Sequence, residues 1–182
     1  MQISEPAEYA FLGLLKDHPM HGYEMFQHFT NGTLGQIVHI EMSQLYAFLK
    51  KLERLEYIEA QVEQQGMRPP RKIFQLTQEG ENVFRQWLSE AVEKPRDIRI
   101  LFLIKLYFSQ RLLPQQTRNL VDQQVAACQS FLQHLENQHT PSEESIVDND
   151  PFFSHVVLRS RIHQTRALLD WLHELQSELI PV

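Results

Sequence analysis

Between Ser43 and Leu55 the apolar residues Leu45, Phe48, Leu49, Leu52 and Leu55 recur every three or four positions, the spacing that gathers side chains on one face of a helix. The opposite face carries Ser43, Gln44, Ala47, Lys51 and Arg54, with Lys50 at its margin. Directly afterwards the period changes to two: Ile58 to Gln64 alternates apolar and polar residues, and Arg71 to Leu76 does so more loosely, which predicts two short strands. Gln65, Gly66, Met67, Arg68, Pro69 and Pro70 between them are too polar and too rich in proline for regular structure, so a turn is expected. Arg68, Arg71 and Lys72 place three cations at the tip of this hairpin.

The remaining pattern is helical. Ser4 can cap a first helix that tolerates Pro6 in its opening turn and runs to about Lys16, with Ala7, Ala10, Phe11, Leu14 and Leu15 inward. Asp17-His18-Pro19-Met20 interrupts it, because proline restricts the residue before it. A second helix from His21 to Phe29 supplies Tyr23, Met25, Phe26 and Phe29 to the core and stops at Asn31-Gly32. Ser43 is expected to cap the helix described above. Thr77 is expected to cap another, with Val83, Phe84, Trp87, Leu88 and Ala91 on one side. Lys94-Pro95-Arg96 breaks the pattern and divides the chain into domains at 1–94 and 95–182.

The second domain shows three helices and no strand signal. Ile98 to Phe108 is apolar nearly all round, as a buried helix would be. Pro114 opens the next, where Val121, Val125, Cys128, Leu132 and Leu135 keep a heptad-like spacing. Asn137 to Asn149 is polar and acidic, a loop by composition. Asp150-Pro151 then starts a last helix striped by Leu158, Ile162, Leu169, Leu172 and Leu179 and widened by Leu168, Trp171 and Leu175. These faces could pack on one another within one chain. Their width points instead to a twofold homodimer through the C-terminal helices, helped by the first helix. The expected fold class is mainly α with a small two-stranded β wing.

A helix that leads with small and amide residues and continues with cations suits a major groove. A helix of this kind followed by a charged hairpin is the order of a winged helix-turn-helix. An amphipathic helix with a solvated face, or a basic turn, means little alone; together they favour duplex DNA. Charge cuts the other way. The chain is at −6, and residues 1–94 hold nine Lys/Arg against thirteen Asp/Glu, a net of −4, whereas nucleic-acid binders are usually basic. The stretch from Gly66 to Leu76 nevertheless carries +3 with no acid, and local potential governs binding. Modest affinity per subunit, strong salt sensitivity and reliance on a dimer follow, with Glu53, Glu56, Glu59 and Glu63 expected to point away from the duplex.

The composition, 182 residues with 42% hydrophobic and 22% charged, is that of a soluble globular chain. The lone Cys128 excludes an internal disulfide and paired-thiol zinc sites and reads as a buried small hydrophobe. The first apolar stretch, Ala10 to Leu15, lacks a basic flank and is too short for a signal or a membrane span, so an intracellular, cytoplasmic protein is expected. His18 with His21 and His134 with His139 do not complete a set of metal ligands. No phosphate-binding glycine loop, nucleophile elbow or carboxylate pair appears. Neither an enzyme nor a metal or cofactor site is expected.

LGLLKDHPMHGYEM, then SQLYAFLKKLERLEYIEA, then GMRPPRKIFQLTQEG, over roughly residues 8–93, resemble the N-terminal domain of PadR-type transcriptional regulators. His-Gly-Tyr-Glu at 21–24, Leu-Tyr-x-x-Leu at 45–49 and Leu-Thr-x-x-Gly at 76–80 are the most specific pieces, and the apolar run at 99–108 resembles the start of the C-terminal domain of longer members. The resemblance implies a dimeric repressor on a double-stranded, pseudo-palindromic operator. By likeness Tyr46, Gln44 and Lys50 would meet the operator, and Arg68 and Lys72 the flanking phosphates, within a wider surface of Ser43, Ala47, Lys51, Arg54 and Arg71. Two positions depart from the family: Glu56 stands where glycine is usual, so it must accept strain or end the helix differently, and Phe74 stands for tyrosine.

Members of this family that release DNA on binding aromatic effectors imply a small-molecule effector here too. Trp87, Phe102, Tyr107, Phe152, Phe153, His155 and Arg159 could line its pocket, with Arg159 facing a carboxylate; aromatic residues at a domain junction are, however, usually core. The contrasting readings are a winged protein-interaction adaptor that has lost DNA binding, and a metal sensor.

Overall fold

The computed structural model describes residues 3–65, 68–138 and 150–179, without the side chains of residues 65–70. The chain divides into two units, Met1–Glu90 with Ile98–Pro114 and Ala91–Asp97 with Gln115–Val182.

In the first unit, α1 (Pro6–Asp17) is followed by a two-residue strand β1 (Met20–His21), α2 (Gly22–Thr30), a single-turn α3 (Leu34–Ile37) and α4 (Met42–Arg54). The hairpin β2 (Ile58–Gln65) and β3 (Arg68–Leu76) leads into α5 (Gln78–Ser89). The strands form one antiparallel sheet in the order β1-β3-β2. The sheet thus has a short third strand that the sequence pattern did not show, and the hairpin strands run closer to the tip than expected. A register shift falls between Glu63 and Gln65, opposite Pro69 and Pro70, residues with no N–H to give the ladder. β1 pairs with β3 only at Phe74 and Ile73.

Phe11, Leu12, Phe29, Leu45, Leu49, Leu52, Ile58 and Phe84 are fully buried in the core of this unit. Two expected caps move. Glu5 rather than Ser4 is the N-cap of α1, and the Glu8 carboxylate accepts the N–H groups of both Ser4 and Glu5 at 2.9 and 3.1 Å. Glu41 rather than Ser43 caps α4, with Gln44 Oε1 accepting from the Glu41 N–H at 2.9 Å. Both are reciprocal boxes, in which a side chain three residues on closes the helix start. Thr77 caps α5 as expected, its hydroxyl accepting from the Gly80 N–H at 3.0 Å.

Glu56 adopts φ 59° and so accepts the left-handed conformation that glycine takes without strain. The Tyr57 N–H bonds the Leu52 carbonyl and the Glu56 N–H bonds the Glu53 carbonyl, each at 3.0 Å, the two bonds of a Schellman end. Thr77 and Gly80 close against the same turn. Thr77 Oγ1 donates to the Glu56 carbonyl at 2.7 Å, and a Cβ on Gly80 would lie 2.0 Å from the Tyr57 oxygen. This close approach explains why glycine ends the Leu-Thr-x-x-Gly motif.

Helix α6 (Pro95–Leu112) begins with the second unit but gives residues 98–112 to the first. The expected boundary at 94 and the packing therefore divide the chain at different places. Phe108 explains the difference: its ring meets Phe84 edge-on at 5.6 Å, and it belongs to the same core as α1 and α5.

The second unit contains α7 (Pro114–Asn137) and α8 (Pro151–Glu178). Val121, Val125, Cys128 and Leu135 of α7 and Ile162, Leu169 and Leu172 of α8 are buried, following the predicted stripes. Asp150 caps α8 by accepting from the N–H groups of Phe152 and Phe153. The fully buried Gln124 makes paired bonds with the backbone N–H and carbonyl of Val92, at 2.7 and 2.9 Å. The expected loop from 137 to 149 lies, from residue 139 on, outside the described residues.

Candidate nucleic-acid interface

The apolar stripe of α4 fixes what its other side presents. With Leu45, Leu49 and Leu52 buried, Ser43, Gln44, Tyr46, Ala47, Lys50 and Arg54 are exposed. Tyr46 is half exposed and lies over Gly22, where a Cβ would come within 3.2 Å of its ring. Glycine there lets the start of α2 approach α4 closely.

Lys50 and Arg71 line the same groove, an open concavity of about 700 Å³ between α4 and the hairpin. Tyr46, Lys72, His21 and Tyr23 line it as well. The exposed helix edge and the cationic strand thus form one surface. His21 Nδ1 bonds the Lys72 carbonyl at 2.9 Å, which requires the proton on Nδ1, and its Nε2 lies 3.6 Å from Glu63 Oε2. The imidazole therefore ties the middle of the hairpin to the start of α2. Sequence reasoning began the second helix at His21 and placed Tyr23 in the core; His21 instead ends β1, and Tyr23 is exposed in the groove.

Three predicted residues stand apart. Lys51 turns inward: its ammonium lies 2.7 Å from Glu8 Oε1 and donates to Glu8 Oε2 and Ser4 Oγ, both at 2.9 Å. Glu8 is wholly buried, so this cation is engaged in the fold. The oxygen of the Gln44 amide is engaged at the start of α4. The side chain of Arg68 lies outside the described residues. Glu53 was expected to face away, yet it lines the groove and pairs with Lys72 at 3.5 Å.

The aromatic residues considered for an effector divide between the units. In the first, Trp87 is buried and stacked on Tyr9 at 4.2 Å, Phe102 is fully buried, and Arg111 lies over the half-buried Tyr107 at 5.3 Å. In the second, Phe152, Phe153, His155 and Arg159 are exposed along α8, with Arg159 Nη2 3.5 Å from His163 Nε2.

Lys105 is a buried cation that the sequence reading passed over as part of an apolar run. Its Nζ donates to the carbonyls of Trp87 and Glu90 and sits 4.5 Å from the centre of the Trp87 ring. Donors at the carbonyl end of α5 complement the helix dipole. Burial lowers its pKa to about 8, against the attraction of Glu90.

His18 lies 3.5 Å from Asp17 and 3.4 Å from Glu24. Among the described residues no group of three or more His, Cys, Asp or Glu side chains could hold a metal ion. No described helix is long and apolar enough to cross a membrane.

Residues 11–86 match the model of the transcriptional regulator PadR-like family, and residues 98–179 match that of the virulence activator alpha C-terminal region. The chain thus carries a PadR-like domain followed by a virulence-activator-type C-terminal region. It is similar to the negative transcriptional regulator PadR of Bacillus subtilis, with 28% identity over 92% of this chain and 94% of that one. Crystal structures of B. subtilis PadR are also similar. The complex with operator DNA shares 25% identity, with a TM-score of 0.48, over 97% of this chain and 100% of that one. The complex with p-coumaric acid has the same identity, a TM-score of 0.44, and coverage of 96% and 99%. The segment between the two matched regions contains the expected boundary at 94. The PadR-like motif at 21–24 now has a physical account in the His21 bond to the hairpin, the close packing at Gly22 and the groove position of Tyr23.

Proposed function

We propose that this PadR-like regulator is a repressor that binds a pseudo-palindromic operator as a homodimer. The N-terminal edge of α4 enters the major groove and the hairpin lies along the backbone. The observation that carries this reading is that Lys50 and Arg71, from separate elements, line one groove. Ser43, Gln44, Tyr46 and Ala47 are the residues for base edges. Lys50, Arg54, Arg71 and Lys72, with Arg68 at the tip, are the residues for phosphates. Lys51 supports the surface from beneath through Glu8.

Phe152, Phe153, Val156 and Val157 are exposed on α8, and a second copy is the partner that covers them. The protein works in the cytoplasm without catalysis, and a small-molecule effector releases it from DNA. Selection of duplexes from a random library by the full-length protein tests this reading. Related half-sites about one or two helical turns apart are expected. A pool without a shared sequence would contradict it and favour the protein-interaction adaptor.

A further inference from the structure

The hairpin is laddered to β1 through two residue pairs, Met20 with Phe74 and His21 with Ile73. Among the described residues, its strands beyond Ile73 are laddered only to each other. The His21 side chain sits where that attachment ends. Its ring belongs to β1, its Nδ1–H donates to the Lys72 carbonyl of β3 at 2.9 Å, and its Nε2 lies 3.6 Å from Glu63 Oε2 on β2. One imidazole thus reaches all three strands. In the neutral ring the proton is on Nδ1, so Nε2 turns a lone pair towards a carboxylate and the two repel. A second proton keeps the Lys72 bond and converts the Glu63 contact into an attraction between opposite charges.

The other charged groups at this groove are Lys50 and Glu53 of α4 and Arg71 and Lys72 of β3, with the rings of Tyr23 and Tyr46 beside them. Glu24 of α2 is turned to His18 at 3.4 Å, and Lys72 is offset by Glu53 at 3.5 Å. Lys50 and Arg71 oppose a charge on the ring until phosphates neutralise them, so a bound duplex itself favours the second proton.

We propose that His21 is a positioning residue whose protonation clamps the wing to the body of its domain, so that duplex binding takes up a proton. Histidine is the side chain that changes charge between about pH 5 and pH 8. The inference rests on the DNA-binding reading. The side chains of His21 and Glu63 are 27% and 49% exposed, so the clamp is partly hydrated and its effect modest.

Fluorescence-anisotropy titration of the full chain with the duplex recovered from the random library, at about pH 8 and about pH 5.5 and one salt concentration, tests it. The readout is the ratio of the two affinities within each variant, which cancels any change in overall affinity. Wild type should bind roughly two- to fivefold more tightly at the lower pH. Glu63→Gln should lose that gain, because its amide offers the ring no charge. His21→Asn should lose it too, since asparagine can donate to the Lys72 carbonyl but does not titrate. His18→Gln should keep it. A gain retained in Glu63→Gln would make His21 a direct phosphate contact and overturn the clamp, as would equal affinity of the wild type at both pH values. Either result with intact duplex binding removes this inference alone, whereas no duplex binding at either pH removes the DNA reading and the clamp with it.

Discussion

At the inner flank of α4, Lys51 lies 2.7 Å from Glu8, a carboxylate with no exposed surface. At the mouth of the groove, Lys72 lies 3.5 Å from Glu53, and these side chains are 55% and 39% exposed. Both are lysine–glutamate pairs near the same helix, but their surroundings give them opposite roles. The first is shielded from water and orients α4 against the start of α1; its partners cannot separate without leaving a buried charge. The second is hydrated and loose, so a phosphate oxygen can replace Glu53 on Lys72 at little cost. In the proposed interface, a domain with more acids than bases presents cations to DNA by fixing one lysine inside the fold and holding another ready at the surface.

The largest expected effect comes from breaking the inner pair. Lys51→Ala should lower stability by about 3–5 kcal/mol, the usual cost of an uncompensated buried charge, read from chemical denaturation. A loss below about 1 kcal/mol would place that pair with the outer one.

Lys105 extends the comparison to a buried cation met by carbonyls instead of a carboxylate. Its folded pKa of about 8 lies below the ordinary 10.5. Between these values the unfolded chain binds a proton that the folded chain has released, so stability should rise with pH. The destabilisation from burying the ammonium is complete below pH 8 and is relieved as pH climbs towards 10.5. The gain should be about 2–3 kcal/mol. Thermal or urea unfolding across this window should show it in wild type and not in Lys105→Met.

Glu56→Gly alters the end of α4 without touching either pair. Relief of the left-handed strain should stabilise the protein by about 1 kcal/mol and leave the salt dependence of duplex binding unchanged. The smallest effect belongs to the outer pair. Glu53→Gln should change stability by about 0–1 kcal/mol. It should also tighten duplex binding by roughly two- to fivefold, because it frees Lys72 and removes a like charge from the phosphates. Weaker binding in this variant would mean that Glu53 itself reads the duplex.

Sequence pattern was informative wherever one local rule decided the outcome. The three-and-four spacing of Leu45, Leu49 and Leu52 identified the buried face of α4, and Thr77 and Asp150 capped the helices they were expected to cap. It was weaker where two local rules competed. Ser4 and Ser43 are good caps by type, but Glu5 and Glu41 had partners three residues on, Glu8 and Gln44, that closed reciprocal boxes. The four-residue α3 is shorter than the helical period can show, and β1 has two residues, too few for any alternation.

Positions at the edge of a helical face were the hardest to read. Lys50 and Lys51 are adjacent in sequence, and only the buried Glu8, 43 positions away from Lys51, sends one inward while the other lines the groove. Glu53 was assigned outward by charge, but the helix turn brought it to Lys72. Lys105 was concealed within an apolar run because its partners are backbone carbonyls, which have no sequence signature.

The central claim is that α4 and the hairpin act on one duplex as a single surface. Operator affinity measured as a function of salt, for the wild type, Lys50→Ala and Arg71→Ala, tests it most directly. The account predicts a steep fall in affinity with salt, and a slope shallower by about 0.9 for each cation removed. A slope unchanged in both variants, or a wild type with no preference for duplex at low salt, would contradict it.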